Sequence, residues 1–184
     1  MNNEELKNLI VYTGVFYEED EISKARSKIW FQTFDNAQKL GIKVVVRNDG
    51  GLPESMLGRI KAYNNITIVE KTAPNTMGGG KREALQKAIE IADKENIENP
   101  VFLWTEPEKD NLITRENLLK INSEIHGGAN VVFPERGEKA WQQLPKVQSF
   151  LEKRAIERAN YMIKKIPNGE NQEKLDLFFG PEAV

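Results

Sequence analysis

The sequence predicts an α/β protein with a mostly parallel sheet and helices on both faces. Three observations predict it. Short runs rich in Val and Ile recur without polar alternation, as expected of strands covered on both sides. Segments of helical period separate them, giving the order β-α-β-α-β-α-β-α-β-α. Each run then ends in a polar, glycine-bearing or charged segment. In an open α/β sheet those carboxyl ends are where ligands bind.

The elements follow in order. Leu9-Ile10-Val11-Tyr12 is a buried strand over 9–13, ended by Thr13-Gly14. Residues 22–40 form a helix with Ile22, Ala25, Ile29, Ala37 and Leu40 inward, stopped by Gly41 as a C′ glycine. Residues 42–47 are the second strand, cut off at Asn48-Asp49-Gly50-Gly51. A short helix is expected over 53–63 and a third strand over 66–70. A loop then runs from 71 to 80 and ends in three glycines. The helix over 81–95 carries Leu85, Ala88, Ile89 and Ala92 on one face. The fourth strand, 101–105, is entered through Pro100. Thr114 caps a helix that runs to His126. Residues 129–134 read as a fifth strand. Residues 147–166 read as a long amphipathic helix with Phe150, Leu151, Met162, Ile163 and Ile166 inward.

The 184 residues suit one domain, or one with an appendage. There is no cysteine, hence no disulfide, thiolate metal site or cysteine nucleophile, which agrees with a reducing, cytoplasmic setting. The first residues lack a basic stretch followed by an apolar run, so no signal peptide is expected. No stretch approaches the ~20 apolar residues that span a bilayer. A net charge of −2 without a basic tract argues against general nucleic-acid binding. The chain ends on an apolar stretch, residues 175–184, which suggests that it packs on something.

Candidate site residues lie after the strands. Gly78-Gly79-Gly80 place backbone N–H groups at a helix N-terminus, where Lys81 and Arg82 add charge, a setting that suits phosphate. The spacing is neither a P-loop nor a dinucleotide fingerprint, and a solvated loop fits the same residues. Asp49 is placed to accept hydrogen bonds from a ribose or a base edge; a plain Asn-Asp-Gly-Gly turn fits it too. Glu106, Glu108 and Asp110 set three carboxylates within five residues after a buried strand. Oxygen ligands of this kind suit Mg²⁺ or Mn²⁺ shared with a phosphate, and an acidic surface loop is the other reading. His126, the one histidine, reads as a surface residue near a helix end.

Together these segments resemble the nucleotide-sugar-binding half of GT-A glycosyltransferases, family-2-like and mannosylglycerate-synthase-like. Tyr17-Glu18-Glu19 is similar to the Tyr-Asn-Glu-Glu segment after the first strand, and Asn48-Asp49-Gly50-Gly51 to the Asp-Asp-Gly-Ser segment after the second. Gly80-Lys81-Arg82 stands where the family has glycines and an Ala-Arg or Lys pair. Glu106-Pro107-Glu108 stands where it has Asp-x-Asp, a departure that bears on the metal. Asp176 and Gly180-Pro181 resemble a later acceptor-side segment, and Arg136 follows the fifth run. The resemblance implies a metal-assisted glycosyltransferase taking a nucleoside-diphosphate sugar. Thr13, Gly14, Asp49, Gly80, Lys81 and Arg82 would hold the nucleotide, Glu106 and Glu108 the metal, and Arg136, Asp176 and Gly180 the acceptor side. The family's C-terminal acceptor helices have no counterpart in the sequence. Two alternatives stand beside it: a non-catalytic nucleotide-sugar-binding domain on the same scaffold, and a sugar-phosphate nucleotidylyltransferase. The second is disfavoured because Tyr12-Thr13-Gly14-Val15-Phe16 lacks that group's Gly-rich, Arg-containing signature.

Overall fold

The computed structural model describes residues 4–72, 77–132, 142, 146–163 and 182–183. They group into two compact units, Met1–Val132 with Ala183–Val184, and Phe133–Glu182. The first unit opens with a single 3₁₀ turn, Glu4–Leu6. Strand β1 (Leu9–Phe16) and helix α1 (Glu21–Leu40) follow, then β2 (Lys43–Gly50) and α2 (Glu54–Lys61). The unit continues with β3 (Ile66–Glu70), α3 (Met77–Lys94), β4 (Val101–Trp104) and α4 (Arg115–His126). The second unit contains α5 (Lys146–Ile163), and a two-residue strand β5 (Glu182–Ala183) ends the order.

The sheet order is β3-β2-β1-β4-β5. The pairs β1/β2, β1/β4 and β2/β3 are all parallel, with Val11 opposite Val44 and Leu103, and Val44 opposite Ile66. The expected parallel α/β architecture is therefore present in four strands, as a Rossmann-like fold. Among the described residues of the fifth expected strand, 129–132, only a single bridge is present. Residues 127–129 close α4 instead: Gly128 N–H donates to Ile125 and Ala129 N–H to Glu124, with Gly128 at φ 106°. This is a Schellman closure, which needs a left-handed residue. Val131 is exposed and only Val132 makes a bridge, while 133–134 lie outside the described residues.

The two faces of the sheet are covered differently. Alternate strand residues point to opposite sides. Leu9, Val11, Val15, Val44, Val46, Val101 and Leu103 pack with Trp30, Phe31 and Phe34 of α1, Ile60 of α2, and Leu118 and Ile121 of α4. Ile10, Tyr12 and Val45 meet Ala84, Ala88 and Ala92 of α3 on the other side. Helix α1 corrects the sequence reading. Its buried stripe is Ser23, Ser27, Trp30, Phe31, Thr33, Phe34 and Ala37, whereas Ile22 is 68% exposed. The aromatic residues bury far more area than Ile22 and Ala25, so they set the helix phase. Its ends agree with expectation or add to it. Gly41 and Ile42 N–H groups close onto Gln38 and Ala37, and Asp20 caps the start by accepting from Ser23 N–H. That bond is the main reason the Asp20 carboxyl titrates below its usual range. Thr114 caps α4 as expected, accepting from Asn117 N–H. On α5, Phe150 and Leu151 are exposed, contrary to the inward placement expected for them. The Arg154 guanidinium, one turn on, lies over the Phe150 ring at 5.5 Å, and the side chains of Met162 and Ile163, with residue 166, lie outside the described residues.

Candidate functional site

Strand order fixes where a ligand crevice opens. From β1 the chain moves to β2 and then β3 on one side, and α3 carries it back to β4 on the other side of β1. The carboxyl ends of β1 and β4 lie at this reversal, the position where open α/β sheets bind ligands. Helix α3 starts at the same edge, because a crossover helix runs antiparallel to the strands it joins.

Three local features differ from expectation here. Strand β1 does not end at Thr13-Gly14 but continues to Phe16, with Thr13 opposite Val46 and Gly14 opposite Arg47. Strand β2 likewise runs through Asn48 to Gly50. Val15 pairs with Asn48 and Phe16 with Gly50, so Asp49 is the extra residue of a β-bulge rather than part of a turn. The ladder with β4 ends at Tyr12 opposite Trp104, and pairing with β2 alone carries β1 past the polar residues. Helix α3 begins at Met77, not Lys81, so Gly78, Gly79 and Gly80 belong to its first turn. The positive end of the helix dipole therefore lies at about 77–80, not 79–82.

Arg47 stands at the centre of this edge. It is 1% exposed and faces α3, as does Val45. Its Nε donates to Glu83 Oε2 at 2.5 Å, its Nη1 pairs with Asp49 Oδ1, and Thr72 Oγ1 donates to Glu83 Oε1. Two glycines make room. A Cβ at Gly80 would stand 2.5 Å from Arg47 Nη1, and one at Gly14 would stand 2.6 Å from Asp49 Oδ2. Trp104 approaches Gly14 as well, stacks obliquely on Tyr12 at 5.4 Å, and lies under the Lys81 ammonium at 5.1 Å. Asn48 Nδ2 donates to Glu70 Oε2 at 3.0 Å and ties the bulge to β3.

The structure thus brings Gly14, Asp49, Gly80 and Lys81 into one contiguous cluster. Thr13 lies beside it in the chain, but its side chain turns with Val11 and Val15 to the other face, buried and without a hydrogen-bond partner for Oγ1. Arg82 is exposed. Tyr17 is a core residue, buried with Val15, and its N–H donates to Gly50. Arg47, Glu83 and Trp104 are the residues that sequence reasoning missed. The one signal was an arginine directly after Val44-Val45-Val46, where an apolar residue would continue the strand.

The loop after β4 is pinned to α1: Thr33 Oγ1 donates to the Pro107 carbonyl at 2.7 Å and Asn36 Nδ2 to the Asp110 carbonyl at 3.4 Å. Glu108 pairs with Arg26 of α1, and Glu106 lies 3.6 Å from Lys109. The two carboxylates thus answer different cations. Among the described residues no group of three or more His, Asp or Glu side chains stands ready for a metal ion. Arg136, Asp176 and Gly180 lie outside the described residues.

A cavity of about 880 Å³ opens at the opposite, amino edge of the sheet, among Asn8, Asn99, Asn122 and His126. Its amides serve each other. Asn8 Nδ2 donates to the Asn99 carbonyl at 2.9 Å, Asn122 Nδ2 donates to the Glu5 carbonyl at 2.8 Å, and His126 Nδ1 donates to the Asn122 carbonyl at 2.7 Å. This network bolts α4 to the first turn, and His126 belongs to it. No described helix is long and apolar enough to cross a membrane. No protein-family model matches the chain, and neither does any curated protein.

Proposed function

We propose that the chain binds a nucleoside-diphosphate sugar at the β1/β4 edge and transfers the sugar to an acceptor, as a GT-A-type glycosyltransferase. The observation that carries this reading is the contiguous cluster of Asp49, Gly14 and the first turn of α3 at the strand-order reversal. Asp49, an acceptor-only group when ionised, suits ribose hydroxyls or a base N–H. The first turn of α3 and Lys81 suit the diphosphate, through helix dipole and formal charge. Arg47 does not serve the phosphates, since two carboxylates already neutralise it. Positive groups aimed at the diphosphate also stabilise charge on the departing nucleotide, the electrostatic part of sugar transfer.

A divalent ion is part of the proposal on one support, the position of Glu106 and Glu108 after β4. Their pairing with Lys109 and Arg26 opposes it. The same pairing favours the second reading, a non-catalytic nucleotide-sugar-binding domain. A nucleotidylyltransferase fits less well, because β1 continues as strand to Phe16 and leaves no loop at that point to wrap phosphates. The test is hydrolysis of a panel of UDP- and GDP-sugars with and without Mn²⁺ or Mg²⁺. Metal-dependent hydrolysis of one donor class is the expected result. Binding without hydrolysis would put the non-catalytic reading first, and no binding of any donor would end both.

A further inference from the structure

We propose that Arg47 is a positioning residue: it holds the Asp49 carboxylate in place for the nucleoside part of the ligand. The inference rests on the nucleotide-site reading above. Taking a guanidinium out of water on a central strand is costly unless paired, and an apolar residue there would pack without that cost. The molecule instead carries two glycines, on β1 and α3, each leaving space for one end of the same ion pair. Asp49 is the extra residue of a bulge, where the ladder does not fix the side chain. Arg47 supplies the missing constraint. Glu83 holds its Nε edge from α3 and is itself held by Thr72 Oγ1, so the outer Nη1 is aimed at Asp49. A planar fork bridges two carboxylates from two elements in fixed directions, which the rotatable donors of a lysine ammonium do not impose. Arg47, Asp49 and Glu83 together carry one net negative charge, which suits hydrogen-bond donors on a ribose or base and not a phosphate.

A merely structural staple between α3 and β2 would show the same bonds, so the test must isolate action through Asp49. Calorimetry with uridine, UDP, guanosine and GDP is run on the wild type, D49N, R47M and R47M/D49N. R47M is expected to weaken binding of the accepted nucleoside about tenfold, and to change it less than twofold once Asp49 is Asn, as coupled neighbours do. Should R47M not fold, R47M/E83Q enters the same cycle; it removes one charge of each sign and leaves the local net charge unchanged. No loss in the R47M protein, or an equal loss with and without Asp49, would overturn the inference while leaving the nucleotide site standing. Failure of all four probes on wild-type protein would overturn the functional reading, and the inference with it.

Discussion

The two faces of the sheet are built to different rules. Under α1, α2 and α4 lie large apolar groups: Trp30, Phe31, Phe34, Ile42, Ile60 and Leu118, with Phe34 in edge contact with both Phe31 and Tyr63. Under α3 the helix offers alanines, and the sheet offers Tyr12, Trp104 and a buried arginine. The thick face contributes most of the buried apolar area and hence most of the stability. The thin face lets α3 approach closely, which brings its first turn to the sheet edge beside Asp49. Stability and site are thereby separated onto opposite sides of the same four strands.

That separation can be broken deliberately. The largest effect is expected from Phe34→Ala on the thick face: a loss of about 3–5 kcal/mol in denaturant unfolding. Nucleotide affinity of the remaining folded protein should stay within about twofold, since sites that share no partners act independently. A large affinity loss would mean that the faces are coupled. On the thin face, Lys81→Ala should leave stability nearly unchanged and weaken nucleoside-diphosphate binding by about 1–3 kcal/mol, with little effect on the nucleoside alone. Exposed Arg82 should matter less in the same titrations, and equal losses for both would place the diphosphate elsewhere.

Gly80→Ala sets two effects against each other. Alanine favours the helix by about 1 kcal/mol, but a Cβ 2.5 Å from a fully buried guanidinium meets a group with nowhere to go. Overpacking of about 1–3 kcal/mol should win, leaving a net loss near 1 kcal/mol in thermal or denaturant unfolding. A stabilised variant would show that Arg47 has room to move. The smallest effect concerns Tyr63 on the thick face. Its hydroxyl donates to Asp35 Oδ1 at 2.6 Å, and burial first, then that bond, push the phenol from 10.0 up to about 12. The fold favours the protonated phenol, so its contribution is fully present below pH 10 and is lost as the pH rises towards 12. Tyr63→Phe should cost about 1 kcal/mol at neutral pH and flatten the alkaline fall in stability between those values. An unchanged alkaline limb would exclude this bond as its source.

Much of this organisation is legible in the sequence, and the misses share a cause. Strands β1 to β4, the caps at Gly41 and Thr114, and the candidate residues Gly14, Asp49, Gly80 and Lys81 follow from local patterns. Local patterns fail where a distant partner decides. Thr13-Gly14 and Asn48-Asp49 read as strand ends, but each strand is continued by its neighbour's ladder. The glycines before Lys81 read as a loop. They form a helical turn whose lack of side chains is explained at Gly80 by Arg47, more than thirty positions earlier in the chain. On α1 the stripe through Ile22 and Ala25 satisfied the helical period, yet Trp30, Phe31 and Phe34 define the buried one. Glu106 and Glu108 share a loop, and only the fold reveals that Arg26 claims one of them.

The most direct test of the account is an NMR titration of the ¹⁵N-labelled protein with UDP and with GDP. The expected result is a saturable shift of the Trp104 indole and of the Gly14, Asp49, Gly80 and Lys81 amides with one nucleotide, while the Trp30 indole on the opposite face stays still. Saturable shifts confined to Trp30 and the α1/α2 side, or none with either nucleotide, would contradict it.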